Sequence, residues 1–239
     1  MRTQSHSSLD KYETCPMTYY ATYITKEVRF TASPATEFGL ALHSAIENFY
    51  KTGEDPVRMP THYKDGNIHY AKLKANAVAL HNYKPTEILV EHKMAFNHDM
   101  QACDYWSVDA MFRGILDVLA IFEESALLAD HKTGKEVTNS KQLYRNALAI
   151  FLAYPAVNTV YTAYWHSDPT ITDAPPKAIK RAEMLDIYNE IKNACRRIDE
   201  SEAINCWMPK PSGLCGASKR SPYPGCPVAS CKHSAFYRA

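Results

Sequence analysis

Two neighbouring segments decide how this chain folds, FRGILDVLAIF (112–122) and ALLADHK (126–132). The first is a nearly continuous apolar run and the second is a short one that turns polar at its end, so both are typical of buried β-strands. Asp117 interrupts the first segment, and Asp130 and Lys132 end the second. An apolar strand accommodates a carboxylate only where a cation or a hydrogen-bond donor satisfies it. These three polar residues therefore indicate a site on the sheet.

The flanking sequence predicts the other elements of a mixed α/β domain. One helix is expected to start near residues 5–10, and four more are expected at 36–51, 72–83, about 140–153 and about 177–203. Further strands are expected at 87–96 and 157–166, and a loop is expected at 52–70. The order α, β, β, β, α, β, α predicts a central mixed sheet flanked by helices. We expect a single domain over 1–239, with its core at about 36–166.

Composition excludes several classes of protein. The chain has 239 residues, 46% hydrophobic and 22% charged, with a net charge of +1, which does not suit a disordered chain. An uncharged stretch from Ala147 to Trp165 is long enough to cross a membrane, but Pro155 and Asn158 interrupt it, so we interpret it as a helix followed by a strand. The first sixteen residues contain no apolar run typical of a secretory signal. We expect no membrane association and a cytoplasmic location.

The polar residues of the two central strands have the chemistry of a metal site. Asp130 and Lys132 are two positions apart on a strand and therefore project to the same face. If the strands pair, Asp117 can join them, and two carboxylates beside an ammonium suit a hard divalent cation. His43, on the predicted helix 36–51, could bring an imidazole to the same ion, and mixed nitrogen and oxygen ligation would favour Mn²⁺ somewhat. Glu47 and Glu91 are interpreted as salt-bridge partners.

The cysteines indicate a second metal site. Seven cysteines in a reducing compartment are poor candidates for disulfides, and an odd number cannot all pair. Cys215, Cys226 and Cys231 lie together in a Gly/Pro-rich segment near the end of the chain. With Cys15 they provide four thiolates, enough for a [4Fe–4S] cluster or a structural Zn²⁺, which would tie the two ends of the chain together. Cys206, or a Zn²⁺ site that uses His233, remains an alternative.

Four motifs occur in an order that resembles a known family. They are GLALH (39–43), GILD (114–117), DHKTG (130–134) and QLY (142–144). The set resembles the PD-(D/E)XK nucleases, and most closely the RecB-like branch that includes the CRISPR-associated and phage-encoded iron–sulfur exonucleases. The opening SSLDKYETCP (7–16) and the cysteine-rich ending (212–231) also look like that branch, so the resemblance covers nearly the whole chain.

The resemblance implies a role for each matching residue. His43, Asp117 and Asp130 would bind Mg²⁺ or Mn²⁺, with the His131 backbone carbonyl as a further ligand. Lys132 would orient the attacking water or stabilise negative charge in the transition state, and Gln142 would hold Lys132 or a backbone phosphate. Cys15, Cys215, Cys226 and Cys231 would bind a [4Fe–4S] cluster. The segment 177–239 would then pack back on the N-terminus of a restriction-endonuclease-like core.

The implied activity is metal-dependent hydrolysis of DNA, by an exonuclease that acts on DNA with a free end. The setting would be end processing, recombination, repair or replication, with a phage as the source that the resemblance implies. The chain departs from the family pattern at two points, because Asn146 stands where a Tyr is often found and ten residues separate Cys215 from Cys226. These departures favour an alternative, a catalytically inactive nucleic-acid-binding protein with a structural zinc or iron–sulfur site.

Overall fold

The computed structural model describes residues 2–29, 31–62, 64–137, 140–216 and 225–237. The chain divides into two compact units, one formed by Ala32–Tyr188 and the other by Met1–Thr31 together with Asn189–Ala239. We refer to them as the sheet unit and the terminal unit.

The sheet unit is built on a six-stranded mixed sheet. The strands are β1 (Glu87–Asn97), β2 (Ala102–Cys103), β3 (Ala110–Ile121), β4 (Ser125–Lys132), β5 (Thr159–His166) and β6 (Lys177–Lys180). Their order across the sheet is β2-β1-β3-β4-β5-β6, and only the pairing of β4 with β5 is parallel among the described strands. That parallel pair is joined by helix α5 (Lys141–Ala153), because parallel strands need a crossover connection. The predicted fold class is confirmed.

Two further helices of the sheet unit are α3 (Pro34–Thr52) and α4 (Gly66–Asn82). Helix α3 begins where the Ser33 side chain accepts a hydrogen bond from the Thr36 amide. It ends at Gly53, whose φ of 75° is the left-handed conformation that favours glycine after a helix. The four apolar residues Phe38, Leu42, Ala45 and Ile46 of α3 are buried, as the helical spacing predicts.

The helices cover both faces of the sheet. Ala129 of β4 packs in one buried cluster with Leu80 of α4, whereas the next residue, Asp130, is bonded to Gln142 of α5. Successive residues of a strand point to opposite faces, so α4 and α5 lie on different sides. Asp130 and the start of α5 are thereby brought to the polar end of β4.

Two predicted boundaries are wrong. The segment 177–203 was expected to be one helix, but residues 177–180 form β6, which pairs antiparallel with β5, and helix α6 spans Met184–Ala203. The loop expected at 52–70 ends early, because the Asp65 side chain accepts a hydrogen bond from the Asn67 amide and starts α4 at Gly66. Local pattern alone does not reveal an edge strand of four residues.

The terminal unit contains α1 (His6–Thr14), α2 (Pro16–Tyr19) with a π-helical turn at Tyr20–Ile24, and most of α6. The Tyr12 hydroxyl donates a hydrogen bond to the backbone carbonyl of Arg197, and the rings of Tyr19 and Tyr20 stack on Trp207. These contacts join the first residues of the chain to the last third. Among the described residues, no helix has the length and apolar character that a membrane crossing requires.

Candidate active site

Three side chains converge between helix α3 and strands β3 and β4. His43 Nδ1 lies 3.7 Å from Asp117 Oδ2, and the donor atoms of His43, Asp117 and His131 all lie within 4.8 Å of one another. In the part of the chain that the structure describes, this is the only group of three His, Cys, Asp or Glu donor atoms so close together. We call it the His–Asp–His group.

The backbone near this group is shaped to bring the side chains together. A Cβ atom on Gly39 would lie 2.9 Å from Thr133 Oγ1, so glycine allows α3 to approach the segment that follows β4. His43 stands one helical turn after Gly39 and is carried toward the sheet. On β1, Glu91 has a φ of 49°, unusual for a residue with a side chain, and its Oε1 lies 3.6 Å from His43 Nδ1.

Asp130, Lys132 and Gln142 form a second group beside the first. Gln142 Nε2 donates a hydrogen bond of 2.6 Å to Asp130 Oδ1, and Lys132 Nζ donates one of 3.1 Å to Gln142 Oε1. Lys132 Nζ also lies 2.6 Å from Asp130 Oδ2, as an ion pair outside hydrogen-bond alignment. Gln142 therefore fixes both the carboxylate and the ammonium.

Electrostatics couple the two groups. Burial, together with the negative charge of Asp130, raises the pKa of Asp117 to about 7 against the opposing effect of His43. Burial would lower the pKa of His43, but the hydrogen bond to Glu91 and the charge of Asp117 outweigh it and raise that pKa. Burial lowers the pKa of His131 to about 3, so His131 is a neutral imidazole. Neutral imidazole and carboxylate are the forms that bind metal ions.

The residues fit a divalent cation. His131 Nε2 is buried without a hydrogen-bond partner, and an unsatisfied buried polar atom is costly. A cation at this site would satisfy that nitrogen and would relieve the repulsion between Asp117 and Asp130. The donor set of imidazole nitrogens and carboxylate oxygens suits Mn²⁺ and Mg²⁺.

The structure thus brings together all the residues predicted for the metal site, but in two groups. His43 and Asp117 meet, whereas Asp130 is held by Lys132 and Gln142. The His131 side chain was not expected here, because only its backbone carbonyl was predicted as a ligand; its amide donates a 2.7 Å hydrogen bond to Asp117 Oδ2. The sequence pattern does not predict a role for the His131 side chain, because strand alternation points it to the opposite face from Asp130 and Lys132.

Comparison with known families decides the identity of this fold. The family model described as the PD-(D/E)XK nuclease superfamily matches residues 3–231. The chain belongs to the PD-(D/E)XK nuclease superfamily. No curated protein sequence matches the chain.

One solved structure has a similar fold. This nuclease is similar to the crystal structure of a candidate exonuclease from Eubacterium rectale, with a TM-score of 0.54 and 10% sequence identity over 90% of this chain and 86% of the other. A second structure, SSO0001, covers 88% of this chain and 79% of its own at 14% identity, with a TM-score of 0.38. At such identities the first likeness shows the fold alone, and the second carries no argument.

Two motif residues of the nuclease have a packing role. A Cβ atom on Gly114 would lie 2.5 Å from Asn146 Oδ1, so glycine in the GILD motif lets α5 pack against β3. Asn146 is buried, and its side chain faces this strand. Position 146 therefore serves to pack α5 against β3. The two glutamates set aside as salt-bridge partners do form ion pairs, Glu47 with Lys51 and Glu91 with His43.

The four predicted cysteines line one cavity in the terminal unit of the nuclease. Its volume is about 220 Å³, and Cys15, Cys215, Cys226 and Cys231 all contribute to its wall. All seven cysteines are free thiols, and neither Cys206 nor His233 is among the described residues that line the cavity. The ends of the chain therefore meet at this point.

Backbone donors face the sulfur atoms. The amides of Lys210 and Ser212 lie 3.4 and 3.3 Å from the sulfurs of Cys15 and Cys215, and the Thr18 hydroxyl is 3.9 Å from Cys226 Sγ. Burial alone would raise the pKa of Cys15, but the amide donors around it lower the pKa below its usual value. Thiolate is the metal-binding form of cysteine, so this set of donors fits a bound metal or cluster.

Proposed function

We propose that the protein is a metal-dependent deoxyribonuclease, an exonuclease that hydrolyses phosphodiester bonds from a free DNA end. One observation carries the proposal: His43, Asp117 and His131 converge beside the hydrogen-bonded group of Asp130, Lys132 and Gln142. Family membership supports nuclease chemistry. The choice of DNA and of a free end rests on the resemblance to the RecB-like branch.

The metal ligands in this proposal are His43, Asp117, Asp130 and the His131 carbonyl, and the His131 imidazole is an additional candidate. When bound there, Mg²⁺ or Mn²⁺ would lower the pKa of a coordinated water and neutralise charge on the scissile phosphate.

Lys132 and Gln142 are proposed to act on the phosphate and the water. Lys132 is anchored by Gln142 and by Asp130, so its ammonium is preorganised next to the carboxylates without a conformational cost at the moment of reaction. A fixed positive charge at this position would orient the attacking water or stabilise the negative charge that builds on phosphate. Gln142 is therefore a positioning residue for Lys132.

The cysteine cavity is proposed to bind a [4Fe–4S] cluster, with a structural Zn²⁺ as the alternative. Support comes from the four cysteines on its wall and from the donors that face the sulfurs. The cluster would hold the ends of the chain together rather than take part in hydrolysis. Free thiols fit the reducing cytoplasm, which we propose as the location, and DNA end processing in recombination, repair or replication as the setting.

The test is digestion of end-labelled linear single- and double-stranded DNA, with a closed circle alongside, in Mn²⁺ or Mg²⁺. We expect loss of linear DNA only, abolished by chelation. Asp130→Asn and Lys132→Gln should each lower the rate by about 10²-fold or more, because each removes a preorganised charge from the reacting phosphate.

The matched control is Asp55→Asn, which removes an exposed carboxylate paired with Lys74 and should leave the rate unchanged. Cleavage of the closed circle, which has no free end, would show that the protein is an endonuclease and not an exonuclease. A wild-type protein that binds DNA and cuts none of these substrates with either metal would contradict the proposal and favour the inactive binding protein.

A further inference from the structure

An exposed cluster of aromatic and basic side chains lies on the turn between β2 and β3. Trp106 is 68% exposed, and its ring packs edge-on against Tyr105 with their centroids 4.9 Å apart. Lys93 of β1 and Arg113 of β3 lie over these rings, at 5.3–5.7 Å from the ring centroids. None of these four residues has a role in the site described above. We call them the aromatic platform.

The turn that carries the platform is held in place by its own hydrogen bonds. Asp104 Oδ1 accepts a 2.8 Å hydrogen bond from the Trp106 amide, and the Ser107 amide donates to the Asp104 carbonyl. The Ser107 side chain in turn accepts from the Asp109 amide. The Asp104 carboxylate is thus engaged in fixing the tryptophan. A rigid exposed ring loses little conformational entropy when a ligand stacks on it.

The platform and the candidate metal site lie along the same strand. Arg113 of the platform and Asp117 of the metal site both belong to β3, and Asp117 meets His43. Between them, Ile115 is 41% exposed and pairs with the exposed Lys93 of β1. These two residues form an exposed strip beside the platform.

The spacing matches a short stretch of single strand. Arg113 and Asp117 are four residues apart on one strand, which corresponds to about 13 Å. At about 3.4 Å per stacked nucleotide, roughly four nucleotides would bridge that distance. Exposed aromatic rings bind unpaired bases by stacking, and basic side chains beside them neutralise the phosphates. A base pair in a duplex offers no exposed face to such a ring except at its end.

We propose that the aromatic platform of Tyr105, Trp106, Lys93 and Arg113 binds the unpaired bases of a single strand whose phosphate lies at the His–Asp–His group. This inference rests on the proposed nuclease function and names the substrate form, a single-stranded end, that the site takes. Stacking is shared by DNA and RNA, and the nuclease proposal favours DNA. The strand would run from the platform across the exposed strip to the His–Asp–His group, and Trp106 would make the main stacking contact.

The test measures binding of fluorescent oligonucleotides of about eight nucleotides in EDTA, where no cleavage occurs. The arms are single-stranded DNA, RNA of the same sequence, a blunt duplex and a dinucleotide. Trp106→Ala should weaken single-strand binding about tenfold, because one stacked base is lost, and should leave the dinucleotide unaffected. Trp106→Phe should restore binding but remove the quenching of tryptophan fluorescence that single strands cause in the wild type.

The matched control is Val108→Ala, which truncates a 94% exposed side chain on the same turn and should bind like the wild type. Equal single-strand binding by the wild type and Trp106→Ala would contradict the proposed role of the platform. The nuclease assignment would stand, because its test uses variants of Asp130 and Lys132. A loss confined to the duplex arm overturns the single-strand assignment. Binding that depends on Trp106 in a protein that never cuts would support the platform and refute the nuclease.

Discussion

Asp117 is the residue at which stability and function oppose each other. Its carboxylate lies among Asp130, His43 and the His131 amide, and burial with the charge of Asp130 raises its pKa to about 7. A folded-state pKa above the unfolded value means that ionisation disfavours the folded state, increasingly as the pH rises from 4 to 7. Without a cation the site is therefore a source of strain that the rest of the core must offset.

We expect Asp117→Asn to stabilise the metal-free protein. The amide oxygen can still accept the His131 hydrogen bond, while the buried negative charge is removed. At pH 8 in EDTA the free energy of unfolding should rise by about 2 kcal/mol, and the gain should disappear toward pH 4, where the carboxyl is neutral anyway. Urea denaturation at both pH values measures it.

The control for this substitution is Asp109→Asn, at an exposed position on the β2–β3 turn, which should change stability at neither pH. A less stable Asp117→Asn protein at pH 8 would mean that the carboxylate is already compensated, by His43 and the amide together. The variant should in either case lose metal-dependent cleavage, since Asp117 is a proposed ligand.

At the scale of elements, the contact between α5 and β3 depends on Gly114. The side chain of Asn146 occupies the space that a Cβ atom on residue 114 would need. Gly114→Ala should lower the free energy of unfolding by about 1–3 kcal/mol, because a methyl group is forced against a buried amide. Asn146→Ala in the same chain should recover most of that loss, so the two substitutions should not be additive.

Thermal or urea unfolding of the two single variants and the double variant gives this coupling. Gly213→Ala serves as the control, because no atom lies within 4 Å of a Cβ built at that position. Additive effects of the two substitutions would show that Gly114→Ala destabilises the protein through backbone conformation and not through contact with Asn146.

At the scale of the whole molecule, the cysteine cavity joins the two ends of the chain. Cys15 and Cys215 are 200 positions apart, and both line the cavity with Cys226 and Cys231. A metal-bound junction that closes a loop of this length removes much conformational entropy from the unfolded chain. The terminal unit, which contains the four cysteines, should depend on that junction more than the sheet unit does.

We expect protein purified without oxygen to be brown, with iron and sulfide, if a [4Fe–4S] cluster binds, and colourless with one zinc if the alternative holds. Cys226→Ser should remove the metal and make the terminal unit sensitive to limited proteolysis, while a fragment near residues 32–188 persists. Cys103→Ser, on β2 and outside the cavity, should retain metal and resistance. Metal-free wild-type protein that resists proteolysis equally would contradict a structural role.

The sequence by itself determined the elements whose signals are local. Helix α3 follows from its apolar spacing and the Gly53 end, and the central strands follow from their branched apolar runs. The mixed sheet follows from the order of these elements. The candidate residues could also be named, because polar side chains inside apolar strands are conspicuous and the motifs occur in the family's order.

Only the tertiary structure decided which of those residues meet and how. Strand β6 forms because β5 offers an edge, and such pairing depends on residues far away in the chain. The His131 side chain reaches His43 and Asp117 because α3 passes over that face of the sheet, and alternation along β4 cannot predict a helix above it. The platform is likewise assembled from β1, β3 and the turn between β2 and β3. Periodicity fixes the direction of a side chain relative to its own element, whereas contacts between elements arise from packing across the whole fold.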